Sequence, residues 1–151
     1  MPTEYLLIDG KDKVLGRLAS QVAKLALLGK HVVVSNTKHI VISGSKKRIF
    51  AKYEQKKNIK TRTNPLRGPF YYKRPHQLFR RTVRGMLPFK KKNGRDAFKR
   101  VHAYIGSVDE GKYSKLTPYE VEKAGIDRIS GEFVTLETLG NRFGWHDVEA
   151  N

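Results

Sequence analysis

The chain of 151 residues carries 31 Lys plus Arg against 14 Asp plus Glu, a net charge of +17, and 38% of it is apolar. It has no cysteine, which excludes disulfide scaffolds, thiol nucleophiles, thiolate zinc sites and iron–sulfur clusters. No apolar run reaches the roughly 18 residues of a membrane span, and Met1-Pro2-Thr3-Glu4 is no charged-then-apolar leader; one soluble intracellular domain over 1–151 with a polyanionic partner is expected.

Tyr5-Leu6-Leu7-Ile8 is an apolar run stopped by Asp9-Gly10, which predicts a buried strand and a turn. Residues 15–28 have helical period, with Arg17, Ser20, Gln21 and Lys24 on one side and Leu15, Leu18, Ala19, Val22, Ala23, Leu25 and Ala26 on the other. Gly29 ends that helix. Residues 31–35 and 39–43 read as a second and a third strand, and strand–helix–strand with short connections implies a right-handed crossover in a parallel sheet. Ser43-Gly44-Ser45 supplies a turn and an N-cap for a helix over 46–57 that buries only Ile49, Phe50 and Tyr53.

Residues 58–75 lose all period and gain Gly and Pro punctuation, which predicts an irregular arm. From His76 to Leu87 the period returns. Leu78, Phe79, Thr82, Val83 and Met86 share one side and Arg80, Arg81 and Arg84 the other. After Pro88 a loop over 90–94, a short helix over 95–100 and a fourth strand over 101–105 are expected. Residues 107–132 read as a surface excursion, and a last helix over 136–143 ends near Gly144 with Trp145 anchoring it.

The charge is segregated. Residues 46–100 hold 20 of the basic residues and only two acids, Glu54 and Asp96, while the remainder is close to neutral. This stretch also carries Phe50, Tyr53, Phe70, Tyr71, Tyr72, Phe79, Phe89 and Phe98, more aromatics than a disordered basic tail contains. The candidate anion-binding residues are Lys46, Lys47 and Arg48 at the start of a helix, Arg62, Asn64, Arg67, Gly68, Lys73 and Arg74 in the arm, Arg80, Arg81 and Arg84 on one helical face, and Lys90, Lys91, Lys92 and Arg95 beyond it. Guanidinium forks suit phosphate because two N–H donors engage two oxygens together. Gly68 permits close approach of the backbone, and Tyr71 and Tyr72 either stack on unpaired bases or fasten the arm to the body. Gly85 either admits a close backbone or ends its helix.

Other chemistries lack their residues. Gly10 and Gly16 are separated by five residues and followed by Arg17-Leu18, so the phosphate loop pattern fails, and no dinucleotide fingerprint or nucleophile elbow occurs. The five histidines, His31, His39, His76, His102 and His146, share no metal-ligand spacing, and no paired acids stand near one for general acid–base work. No catalytic residue, metal, cofactor or small-molecule substrate is expected. An irregular arm beside a basic helix suits structured RNA, read by shape and phosphate, better than duplex DNA.

Arg81-Thr82-Val83-Arg84-Gly85-Met86-Leu87-Pro88, then Gly94-Arg95 and Ala103-Tyr104-Ile105-Gly106, resembles the L-thirteen family of universal large-subunit ribosomal proteins. So does Ile8-Asp9-Gly10 with Leu15-Gly16-Arg17-Leu18-Ala19-Ser20. Asn64-Pro65-Leu66-Arg67-Gly68-Pro69 and Arg74-Pro75 look like the archaeal and eukaryotic branch. The likeness runs from Tyr5 to Gly106 and returns weakly at the final helix and Gly144-Trp145. It implies a three-layer α/β/α fold on a four-stranded, mainly parallel sheet and a non-catalytic role on large-subunit ribosomal RNA. It further implies early participation in subunit assembly, neighbouring large-subunit proteins as partners, and a place in the cytosolic ribosome. Eukaryotic members commonly continue into a long basic helix, whereas this sequence ends at Asn151 after acidic residues, so an archaeal or reduced eukaryotic source is expected. Residues 107–132 match no pattern of the family. The rival readings are a free RNA-binding regulator or chaperone and an RNA-processing enzyme.

Overall fold

Four short extended runs share one sheet in the computed structural model, which describes residues 4–148. Met1–Thr3, where no leader is expected, and residues 149–151 lie outside the described residues. β1 (Tyr5–Asp9) runs parallel to β2 (His31–Ser35), with Tyr5 opposite His31 and Ile8 opposite Val34. Between them α1 (Leu15–Leu27) buries Leu15, Leu18, Ala19, Val22, Ala23 and Ala26 and leaves Arg17, Ser20 and Lys24 outside, as its period requires. Gly29, at φ +86°, ends the helix with the Lys30 N–H donating back to the Leu25 carbonyl.

The third strand departs from expectation. Asn36 takes a left-handed conformation and residues Thr37–His39 form a 3₁₀ turn, so the chain rounds a corner after β2. What remains, β3 (Val41–Ser43), leaves the main sheet and pairs antiparallel with a late strand, Phe133–Thr135. Buried Thr37 fixes the corner by donating its hydroxyl to the Tyr104 carbonyl at 2.8 Å.

α2 (Lys46–Asn58) follows, buries Ile49 and half-buries Phe50 and Tyr53. Ser45 occupies its N-cap, but the serine side chain accepts no hydrogen bond there. Residues 59–74 are irregular apart from a 3₁₀ turn at Pro65–Arg67. α3 (Pro75–Met86) starts on a proline suited to the first helical position and buries Phe79 and Val83 completely. Leu87, extended before Pro88, ends it. Met86, expected in the core, is exposed.

α4 (Lys92–Lys99) begins earlier than its sequence suggests, so Lys92, Asn93 and Gly94 are helical and not loop. A Cβ on Gly94 would lie 2.1 Å from the Pro88 carbonyl oxygen, so only glycine lets this first turn sit on the preceding backbone. β4 (Val101–Ala103), shorter than expected, pairs parallel with β2. The place beside β1 is taken by β5 (Leu116–Pro118), again parallel, giving the order β4-β2-β1-β5. The excursion expected over 107–132 therefore supplies the fourth strand, and its Val121 and Ala124 are buried in the core. β6 (Phe133–Thr135) pairs with β3, and α5 (Leu136–Arg142) follows, its first turn capped by the Thr135 hydroxyl, which accepts from the Thr138 N–H at 3.2 Å.

Alternation along the strands separates two faces. Ile8, Val32, Val34 and Val101 join Leu18, Val22, Phe79, Val83 and Leu139 in the hydrophobic core under the helices. Tyr5, His31 and His102 face the other way, where Tyr113 packs 4.7 Å from Tyr5 and its hydroxyl hydrogen-bonds that of Tyr104. The connection from β4 back across the sheet to β5 thus covers the second face, as right-handed crossovers require when the stepping direction reverses. The architecture is α/β on a four-stranded parallel sheet. Its outer layer on that second face is this connection, with one 3₁₀ turn at Glu110–Lys112.

Candidate nucleic-acid interface

Three successive helices begin with positive charge. Lys46, Lys47 and Arg48 occupy the first turn of α2, Arg74 the N-cap of α3, and Lys91 the N-cap of α4 with Lys92 and Arg95 just inside. None of these first turns contains an acid. Cations at a helix N-terminus oppose the macrodipole, which favours anions there by about 0.3–1 kcal/mol each. Lys46, Lys47, Arg48, Arg74, Lys91, Lys92 and Arg95 are all exposed. An anion held among them satisfies both the side chains and the free helical N–H groups.

Neither ion pair found among the described residues, Lys38 with Asp147 and Lys115 with Glu4, involves the 46–100 stretch. Several of its cations lie over aromatic faces instead. Arg80 stacks 4.7 Å from the Phe98 ring centre and Arg84 4.0 Å from that of Phe89, while Lys46 lies over Phe50 and Lys56 over Tyr53. Cation–π contacts position a charge without neutralising it. The uniform outward presentation expected for the three arginines of α3 is therefore modified. Arg81 is exposed, whereas Arg80 and Arg84 are half-buried, and the Arg80 Nε is buried without a hydrogen-bond partner. Tyr72, Gln77, Arg80, Arg81, Arg84, Phe89 and Phe98 line a hollow of about 180 Å³. Arg100 serves structure, donating from Nη1 to the Ala26 carbonyl at the end of α1.

The other expected positions spread along the irregular segment. Arg62, Arg67 and Lys73 are exposed, as are Lys90 and Lys91 beyond α3. The Asn64 side chain accepts from the Leu66 N–H and thereby holds its own turn. At Gly68 a Cβ would meet Thr61 Oγ1 at 3.1 Å, so the close approach it permits here is to its own loop. Gly85 lies within α3, and a Cβ there would meet nothing within 4 Å; Pro88, and not this glycine, ends the helix.

Sequence reasoning missed Arg17 on α1 and Lys52, Lys56 and Lys57 on α2. With Phe70 and the expected Tyr71, Tyr72, Lys73 and Arg81 they face one hollow of about 750 Å³. The signal present was the polar face of α1 and the Lys52–Lys56 spacing, one helical turn on α2.

Two histidines influenced by Arg80 are held below their ordinary pKa. For His76 the cause is burial, then the charges of Arg74 and Arg80. For His102 it is burial, then Arg80, His31 and Lys112.

Comparison with known proteins places this geometry. The family model described as Ribosomal protein L13 matches residues 3–110. The chain is 43% identical to the large ribosomal subunit protein uL13 of Methanopyrus kandleri over 95% of its length and 89% of the relative's. With the protein of the same name from Methanocaldococcus jannaschii the identity is 46%, over 91% and 96% of the two chains. With that of Caenorhabditis elegans it is 41%, over 93% of this chain and 69% of the longer relative. These relatives belong to a family of ribosomal structural proteins and not of enzymes. The chain belongs to the ribosomal protein L13 family.

Proposed function

We propose that this chain, as one domain, is a structural constituent of the large ribosomal subunit that binds ribosomal RNA through the basic surface of residues 46–100. Family membership makes it a large-subunit component. The observation that carries the finer reading is the set of three positively charged helix starts, with no carboxylate paired to any cation of the stretch among the described residues. Their mutual repulsion is relieved by a polyanion. Lys46, Lys47, Arg48, Arg62, Arg67, Lys73, Arg74, Arg80, Arg81, Arg84, Lys90, Lys91, Lys92 and Arg95 contact phosphates, and Asn64 and Gly68 shape the loop that carries two of them. Neighbouring large-subunit proteins complete the environment, and cytosolic ribosomes are its location. Because residues 59–74 within the basic stretch are irregular, fixing them on RNA ties the ordering of both partners together, which suits a role in subunit assembly.

Sedimentation tests this directly. Stoichiometric recovery in large subunits washed at high salt is the expected result. A free pool that binds selected transcripts would establish a regulator or chaperone instead.

A further inference from the structure

The hollow of about 750 Å³ combines features that a phosphate-only surface does not need. Its floor is apolar, built from Leu15, Ile42, Leu78 and Leu139 with the Tyr53 and Phe143 rings, and its rim carries Arg17, Lys52, Lys56, Lys57, Lys73 and Arg81 with no acid. Along one edge three consecutive aromatics, Phe70, Tyr71 and Tyr72, are 68%, 40% and 49% exposed. Two helical glycines, Gly16 of α1 and Gly85 of α3, open onto it, and a Cβ on either would meet nothing within 4 Å. A glycine inside a helix costs about 1 kcal/mol against alanine. Packing within the chain recovers none of that here.

We infer that this hollow receives an unstacked nucleotide of the bound RNA, its base on the Tyr71–Tyr72 edge and its phosphate at Arg17, Lys56 or Arg81. The inference rests on the RNA-binding reading above and adds to it a preference for unpaired nucleotides. An apolar floor under a cationic rim matches the chemistry of a nucleotide, flat and stackable on one side and anionic on the other. The volume falls within the range of small-molecule sites, roughly 300–1,000 Å³. A duplex offers phosphates but no free base face, whereas single-stranded RNA is recognised by stacking on aromatic side chains.

Gly85→Leu tests the inference, because it projects a side chain into the hollow, changes no charge, and its Cβ meets nothing within 4 Å. Its melting temperature is expected to equal or exceed that of the parent chain, since a helical glycine is removed. Binding is measured to deproteinised large-subunit ribosomal RNA and to a perfectly paired RNA duplex, each over a salt series. The parent is expected to prefer the ribosomal RNA. Gly85→Leu is expected to bind it about tenfold more weakly, in line with the loss of one stacked base, with a salt slope reduced by no more than one phosphate contact, about 0.7 to 0.9. Unchanged affinity of Gly85→Leu, alongside weakened Arg81→Gln, would overturn the nucleotide site and leave the basic surface standing. A parent whose binding ignores salt would overturn the basic surface itself. If Gly85→Leu binds RNA normally but is lost from large subunits on washing, the occupant is a neighbouring protein, and the inference fails. Ultraviolet crosslinking of wild-type large subunits gives an independent reading. Tyr71 or Tyr72 is expected joined to an unpaired nucleotide, and their absence from all crosslinks contradicts the site.

Discussion

The guanidinium of Arg84 lies 4.0 Å from the centre of the Phe89 ring, so a charge on α3 is held by a residue from the turn that follows it. Arg80 on Phe98 repeats the arrangement one helical turn earlier, against α4. Both stacks leave guanidinium N–H groups available for phosphate oxygens while limiting side-chain freedom, which lowers the entropy lost on binding.

The three arginines of α3 therefore separate in their effects. Arg81→Gln is expected to weaken RNA binding and to leave stability within about 0.5 kcal/mol, as for other exposed positions. Arg80→Gln and Arg84→Gln are each expected to weaken binding and also to cost about 0.5–1 kcal/mol of stability from the lost cation–π contact. Urea midpoints and filter binding on the same preparations separate the two quantities.

Gly94→Ala places a methyl group 2.1 Å from the Pro88 carbonyl oxygen. Neither backbone can yield easily, so a loss of about 3 kcal/mol is expected, at the upper end of overpacking effects. Because α4 carries Lys92, Arg95 and the Phe98 partner of Arg80, RNA affinity falls with it. A urea midpoint equal to that of the parent would show that the contact is not limiting.

Gly140→Ala tests the anchor of the basic segment. A Cβ there would lie 2.8 Å from Trp145 Cε3 and 2.9 Å from the Lys73 carbonyl oxygen, so α5, Trp145 and the end of the segment meet at one point. A loss of about 1–3 kcal/mol is expected, together with faster protease cleavage between residues 59 and 74. Cleavage at the parental rate would mean that the segment is held elsewhere.

Stability should fall on mild acidification. His76 and His102 are both held below their ordinary value of 6.5, chiefly by burial and then by neighbouring cations. The unfolded chain consequently binds more protons than the folded one as pH drops through that region, and the stability present above pH 6.5 is lost as pH falls toward the folded-state values. Urea midpoints measured from pH 7.5 to pH 5 are expected to decline, and His76→Gln with His102→Gln is expected to flatten the decline.

Much of this was legible in the sequence because it is carried by period and by composition. The 3.6-residue period gave α1 and α3 within a residue or two, and the excess of cations over 46–100 needs no fold to be seen. What escaped depends on chain direction and on contacts between distant residues. The β-branched run Ile40-Val41-Ile42 favours an extended backbone but not the sheet it joins, which the left-handed Asn36 and the 3₁₀ turn through His39 decide. β5 is three residues long and ends in Pro118, too short for an alternation to register. Phe98, the aromatic partner of Arg80, is carried by α4, whose first turn rests on the Pro88 carbonyl at Gly94, a contact invisible in hydrophobic patterning.

The central claim is that residues 46–100 meet ribosomal RNA through phosphates, and the salt dependence of binding tests it most directly. Each phosphate contact contributes roughly −0.7 to −0.9 to the slope of log affinity against log salt. For the parent chain with deproteinised large-subunit ribosomal RNA, a slope near −4 or steeper is expected, corresponding to about five phosphates or more. Replacing Arg80, Arg81 and Arg84 together by Gln should reduce its magnitude by about 2. A nearly flat dependence for the parent, or a triple variant with the parental slope, would contradict the account.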